Sequence, residues 1–310
     1  MLGTLSLTRS DLVGVGVGCP GPLRIRDGCI IRTANLPGWN DVPLRDRLHA
    51  QFDLPVTLDN DGNAAAYGEF WVGAGRGSED LVMLTLGTGV GAGVVLGGRL
   101  LHGHFDNAAE LGHMIVVPDG LPCRCGQRGC LEQYSSAGAV AQRVITAIQA
   151  GEPCELADRV QAGNEPNDAA RVPTDNPHPD RNPHRDRKGA SDQDPAREEP
   201  DRHELAPGRV DAALVAECAQ RGDSLCLRIW DEACLYLAVA CINIQHAFNP
   251  ACIVLGGGMS QAGAFLMDRV TDHFTRLQWS LHTDYPRIVP AQLGSDAGVI
   301  GAAGLVLAHV

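Results

Sequence analysis

Lysine is almost missing: Lys188 is the only one in 310 residues, so arginine carries nearly all of the positive charge. That excludes a catalytic lysine from the main fold. Positive charge is itself scarce, with 25 basic against 37 acidic side chains and a net charge of −12. A surface this acidic repels phosphate backbones and disfavours nucleic acid as a partner. No long hydrophobic run is present either. One uncharged stretch, Leu81 to Gly98, is interrupted by six glycines and reads as buried strands around a turn, not as a membrane span. The opening string MLGTLSLTRS lacks the basic-then-apolar order of a secretory leader.

What is present fits a globular protein. Apolar residues make up 44% and charged residues 20%, and a chain of this length suggests about two domains. Of eleven cysteines, eight are scattered and three fall between Cys123 and Cys130. Scatter plus one cluster points to thiols in a reducing, cytoplasmic compartment with a metal site, not to a disulfide framework.

Asp11 to Cys19 alternates apolar residues with glycine and predicts a buried strand ending in a Pro-Gly-Pro turn. Residues 41–52 carry helical periodicity. Val56 to Leu58 predicts a short strand ending at LDNDGN, with a helix over Ala64 to Trp71. Leu81–Leu86 and Val94–Leu96 predict strands on either side of a glycine-rich turn. Residues 164–207 hold eight of the nineteen prolines and eighteen charged residues, and above alanine their only aliphatic side chains are Val172 and Leu205. Such a segment buries too little to offset its ordering entropy and is expected to be a disordered insertion. Its His178 and His184 read as loop residues. A long helical region is predicted from Val210 to Phe248, stopped by Asn249-Pro250. Ile253–Leu255 predicts a strand leading into GGGM. The last stretch, from a Ser295 cap, predicts a small-residue helix packed closely on a neighbour. No repeat of solenoid period is present.

Five strings could carry chemistry. His113, Cys123, Cys125 and Cys130 supply three thiolates and an imidazole, the donor set of a closed, structural zinc site. Gly126 and Gly129 let that chain curl tightly. Glu110 and Glu132 flank the loop, which would fix two acceptors for a polyhydroxylated ligand. Asn60 and Asp61 stand where a strand ends and a helix begins. There a carboxylate can be a general base for a hydroxyl nucleophile and an amide can orient substrate, and the same string also reads as a capped turn. Gly87-Thr88-Gly89 in the hairpin turn offers backbone N–H groups and a hydroxyl to phosphate. Gly256-Gly257-Gly258, between strand and helix, lets a nucleotide lie close to backbone.

In this order the five strings resemble the ROK family of sugar kinases and sugar-responsive repressors. LTLGTGVGAGVVLGGRLLHG followed by AAELGH looks like the family signature, and CRCGQRGCLE like its zinc motif. NLPGWNDVPLRDRL, LDNDGNAAAYGE and IVLGGGM match as well, so that only the insertion falls outside. The resemblance implies an α/β, two-lobed, actin-like or hexokinase-like (ribonuclease H-like) fold with sugar and ATP in the cleft. It implies that Asp61 is the catalytic base. Asn60, Glu110, His113 and Glu132 would be sugar contacts, and His113, Cys123, Cys125 and Cys130 zinc ligands. Gly87, Thr88 and Gly89 would form a phosphate loop, and Gly256, Gly257 and Gly258 the adenosine motif. Residues 1–78 with the returning helix 294–310 would form the small lobe. Residues 79–293, with zinc loop 113–132 and insertion 164–207, would form the large one.

One departure stands out: the D-x-G-G-T strand with which the family's kinases approach the ATP phosphates and magnesium is not in this sequence. The first residues match the segment before the fourth strand of the first lobe, so that about three strands are expected to be missing. A chain starting at Met1 is then expected to lack ATP-dependent activity until that strand is supplied. The complete protein is expected to be an ATP- and magnesium-dependent glucokinase with structural zinc. A repressor of the same family, or a kinase for fructose or N-acetylmannosamine, is the alternative. A homodimer stays open.

Overall fold

The computed structural model describes residues 8–32, 38–162, 210–281 and 283–309. The predicted insertion 164–207 and the first three residues of NLPGW lie outside the described residues. By internal contacts the chain divides into one unit of Met1–Glu155 with Asp211–Val310 and a second of Leu156–Val210, whose described part holds one helix, α5 (Ala157–Ala162). Everything below concerns the first unit.

In chain order its strands are β1 (Val15–Cys19), β2 (Leu23–Arg24), β3 (Cys29–Arg32), β4 (Asn40–Val42), β5 (Val56–Asn60), β6 (Leu81–Leu86), β7 (Val90–Leu96), β8 (Arg99–Leu100), β9 (Cys252–Gly256) and β10 (Arg287–Pro290). Its helices are α1 (Leu44–Phe52), α2 (Asp61–Trp71), α3 (Glu132–Ser135), α4 (Ala137–Gln149), α6 (Ala212–Arg221), α7 (Ser224–Phe248), α8 (Ala264–Leu277) and α9 (Ala297–His309).

β1 and β5 pair in parallel with Cys19 opposite Asn60, and β2, β3 and β4 form a small antiparallel sheet beside them. Leu23, Ile30 and Val42 of that sheet share a core with Cys19 and Leu58. The main sheet has the order β10-β9-β6-β7-β8. β10, β9 and β6 are parallel, whereas β7 and β8 run antiparallel in a meander. β6 and β9 read LVMLTL and CIVLG, nearly unbroken apolar runs suited to a central strand with both faces covered. Ala65 and Ala66 of α2 pack on this sheet against Leu81, Met83, Val95 and Val254.

α2 is the link between the two sheets. It leaves the carboxyl end of β5, covers the main sheet, and packs on α9, which itself returns onto β1 and β5. The two helices meet backbone to backbone: a Cβ on Gly301 would lie 1.7 Å from the Ala64 carbonyl oxygen, so no larger residue fits there. Glu69, fully buried in α2, ties the C-terminal segment down. Its Oε1 accepts hydrogen bonds from the Gln292 and Leu293 amides at 2.9 and 2.8 Å, and its Oε2 accepts one from Ala74 at 2.7 Å.

Several sequence expectations need correction. Residues 41–52 are not one helix: β4 ends at Val42, and α1 begins after Pro43, whose ring has no N–H to continue a helix backwards. β1 is shorter than the alternating run, because Arg9–Asp11 form a 3-10 turn. β7 starts at Val90, four residues earlier than its aliphatic run suggests. Gly93 sits in the strand because α2 lies against it, and a Cβ there would meet the Ala66 Cβ at 2.5 Å. The helical region 210–248 is two helices, broken by Gly222 in the left-handed conformation and restarted by Asp223, whose carboxylate caps α7. Ser295 lies inside a 3-10 turn, Gly294–Asp296, that precedes α9. Among the described residues no helix is long and apolar enough to cross a membrane.

Candidate active site and metal centre

β5 delivers its last residues to the edge of a cleft. Asn60 is the N-cap of α2, its Oδ1 accepting from the Gly62 amide at 2.8 Å and the Asn63 amide at 3.3 Å. Its carbonyl oxygen is thus committed to the cap, and only Nδ2 is left for a ligand. Asp61 follows as the first residue of α2, where a negative charge suits the positive end of the helix dipole. Asp61 is exposed, and among the described residues its carboxylate accepts a hydrogen bond only from the Gly62 amide, at 2.9 Å.

Asp59, beside them, points inward and is 2% exposed. Its Oδ1 accepts from the Asn60 amide and from Asn63 Nδ2, both at 2.8 Å, and its Oδ2 lies 2.8 Å from His102 Nε2. That hydrogen bond, assisted by the Asp59 charge and opposed by burial, raises the His102 pKa above 6.5. The Asp59–His102 pair fastens β5 to the segment following β8. The sequence reading gave neither residue a role. Burial pushes the Cys19 thiol up to about 12, with the Asp61 and Asp59 charges adding to the effect.

The cleft has a volume of about 440 Å³ and is lined by Asp61, Thr85, Gly87, Gly89, Glu110, His113, Glu132 and Gly257, among others. Residues scattered over nearly 200 positions thus converge. Glu132, at the start of α3, accepts from the Val90 amide at 3.1 Å and so is locked beneath the Gly87–Gly89 turn. A Cβ at Gly89 would lie 2.4 Å from its Oε2. The three carboxylates of the lining, Asp61, Glu110 and Glu132, accept hydroxyl protons and repel anions. The glycine turn, Thr85 and Gly257 add backbone and hydroxyl groups to the same lining. Thr88 is exposed but is not among the cleft's lining residues, and neither is Gly256, which is buried. Gly258 instead lines a neighbouring hollow of about 240 Å³ with Ala212, Ala216, Glu217, Trp230 and Met259. Gly257 lines the cleft and its neighbour Gly258 lines this hollow, so one turn borders both. The turn requires glycine, since Gly257 has φ +85° and a Cβ there would lie 2.6 Å from the Leu86 amide nitrogen. The α6 wall of the second hollow was not legible in the sequence. A larger hollow near His246 and Trp279 gathers no such groups.

The cysteine loop closes on itself. Its chain reverses through two isolated bridges, Ile115 with Cys130 and Pro122 with Arg128. Gly129 has φ +79° and sits so close to Val117 that a Cβ would be 1.7 Å from the Val117 oxygen. The ligand atoms of His113, Cys123, Cys125 and Cys130 lie within 4.8 Å of one another. Cys123 Sγ is 3.7 Å from His113 Nδ1, and Cys125 Sγ is 3.6 Å from Cys130 Sγ. A tetrahedron with Zn–S bonds of about 2.3 Å has S···S edges of roughly 3.8 Å, so the donor set and its spacing fit zinc. Because His113 also lines the cleft, a metal held here would fix one of its walls.

Comparison with known proteins identifies the family. The sequence profile of the ROK family covers residues 5–173 and 197–309. A glucokinase of Halalkalibacterium halodurans is 36% identical over 300 residues, 96% of this chain and 77% of the relative. A ROK family glucokinase from Streptomyces griseus, solved in complex with glucose and AMPPNP, superposes with a TM-score of 0.69 at 28% identity, covering 95% of this chain and 81% of the other. A xylose repressor of Bacillus subtilis is 24% identical over 96% of this chain and 62% of its own length. The architecture is therefore the two-lobed actin-like, hexokinase-like α/β fold, and with a family match over most of its length the chain belongs to the ROK family.

Proposed function

We propose that this protein is a hexose kinase that transfers the γ-phosphoryl group of ATP to a sugar hydroxyl, with glucose as the sugar. The observation that carries the reading is Asp61: an exposed carboxylate on a fixed helix start, in one cleft with Glu110, His113, Glu132 and a glycine turn. A neutral polyol suits the carboxylates of the cleft, and magnesium–ATP, as co-substrate, suits the glycine turns and the hollow beside α6. The likeness to glucokinases, one of them solved with glucose and AMPPNP, supports the same reading.

In this reading Glu110, His113, Glu132 and Asn60 Nδ2 hold the ring hydroxyls. Asp61 takes the proton from the attacking hydroxyl as its oxygen bonds to the γ-phosphorus and the bond to ADP breaks. Phosphoryl transfer needs little covalent help, so positioning supplies most of the acceleration. The lobes, 1–78 with 294–310 and 79–293, would close over the sugar and exclude water. Zinc, when bound, supplies structural rigidity: four protein ligands leave no open position. A kinase that draws on ATP would act in the cytoplasm.

A sugar-responsive repressor is the second reading, favoured by the xylose repressor relatives. Calorimetric titration with glucose and with xylose, which is glucose without its hydroxymethyl group, separates the two. A kinase acting at that hydroxyl binds glucose more tightly, and loses most of that affinity in Glu132→Gln. Preference for xylose, or no sugar binding in a folded protein, overturns the proposal.

A further inference from the structure

A second sulfur cluster lies away from the cleft. Cys154 follows α4, and Asp223 and Cys226 form the cap and first turn of α7. Cys154 Sγ is 3.6 Å from Cys226 Sγ and 3.5 Å from Asp223 Oδ1. The three ligand atoms lie within 4.8 Å of one another, as in the His113 cluster. The Cys154–Cys226 separation equals the 3.6 Å between Cys125 and Cys130.

We infer that Cys154, Cys226 and Asp223 form a second binding site for zinc or a cation of the same class. A tetrahedral ion with Zn–S bonds of about 2.3 Å and a Zn–O bond of about 2.1 Å has S···S and S···O edges of roughly 3.8 and 3.6 Å. The Cys154–Cys226 and Cys154–Asp223 distances need to change by only a few tenths of an ångström. The carboxylate is already aimed: Asp223 Oδ1 accepts from the Cys226 amide at 2.9 Å and Oδ2 from the Glu155 amide at 2.8 Å. These bonds hold it as outer partners hold a ligand. Each carboxylate oxygen keeps a further lone pair for a metal.

Charge balance favours the exchange. The ion displaces two thiol protons, so two neutral thiols and one carboxylate become a zinc dithiolate carboxylate of the same net charge, −1. The two protons go to solvent. Cys226 is buried and Cys154 half-buried, and water would complete the four ligands. The ion would pin the chain after α4 to the first turn of α7. Nothing in this site depends on the kinase reading or on the His113 cluster, from which its ligands are distinct.

The test is metal content of the purified, reduced full chain after equilibration with micromolar Zn²⁺ and gel filtration. Two zinc ions per chain are expected, one lost in Cys154→Ser and a different one in Cys125→Ser. Asp223→Asn keeps a good helix cap but removes the charge, and is expected to bind its zinc at least tenfold more weakly in chelator competition. Circular dichroism confirms folding of each variant. If Cys154→Ser and Asp223→Asn leave zinc content and affinity at the parent values, the site does not exist. A Cys154–Cys226 disulfide found by mass spectrometry in protein purified without reductant but with excess Zn²⁺ also overturns it, since the pair is then a redox pair.

Discussion

Glu69 offers a direct check on how α2 is held, and hence on how Asp61 is placed. Its carboxylate is fully buried and accepts three backbone N–H groups, two of them 223 and 224 residues away in sequence. Glu69→Ala removes the acceptor and leaves Ala74, Gln292 and Leu293 without it. An orphaned buried donor costs about 1–3 kcal/mol. Three such donors set an upper range of roughly 3–9 kcal/mol, and partial access of water brings the expectation to about 3–5 kcal/mol. Glu69→Gln keeps one oxygen and replaces the other by an amide that cannot accept. It is expected to lose one bond's worth, about 1–3 kcal/mol. Urea denaturation followed by circular dichroism reads both. With a slope near 3 kcal/mol per molar, the alanine variant should unfold at a midpoint lower by roughly 1 M or more, and the glutamine variant by about half that. A midpoint shift in Glu69→Ala no larger than that in Glu69→Gln would refute the reasoning, because it would mean that the Gln292 and Leu293 bonds contribute nothing.

Three further outcomes follow from the site. Cys125→Ser should lose one zinc ion by metal analysis, and an unchanged zinc content would remove the Cys3His assignment. The raised His102 pKa gives a sign to the pH dependence: the Asp59 bond stabilises fully below about pH 6.5, and that contribution is lost as pH rises through the folded-state pKa. His102→Gln should therefore narrow the stability difference between pH 6 and pH 8 in urea melts, and an unchanged difference would contradict the pairing. Glu132→Gln should weaken glucose binding by calorimetry more than Asp61→Asn does, since Glu132 is buttressed by the Val90 amide.

Much of this was legible in the sequence because it is local. The cysteine spacing and the positive-φ glycines of its loop form a short string with one physical reading, whereas the strand end at Asp59–Asn63 reads equally as a catalytic carboxylate or a capped turn. The close α2–α9 contact was visible as a small-residue helix. What was hidden depends on distance along the chain. Glu69 looks like any helix-surface charge until its partners near residue 292 are seen, and Cys154 and Cys226 are 72 residues apart. Asp59 and Asp61 look alike in sequence, yet one is buried against His102 and the other faces the cleft. The break at Gly222-Asp223 carried a stop and a start signal, but continuous apolar periodicity on both sides masked it. The α6 wall of the second hollow follows residues 163–209 and carries no motif.

The central claim is that Asp61 is the base of a sugar kinase. Its most direct test is turnover and sugar affinity of Asp61→Asn, in protein carrying the D-x-G-G-T strand that the family's kinases use and this sequence lacks. Steady-state kinetics with ATP and glucose, beside calorimetric glucose titration, give kcat and Kd separately. General-base loss predicts kcat lower by about 10²–10⁴-fold, with Kd for glucose within about twofold of the parent. Turnover at the parent rate would reduce Asp61 to a helix-start residue and contradict the account.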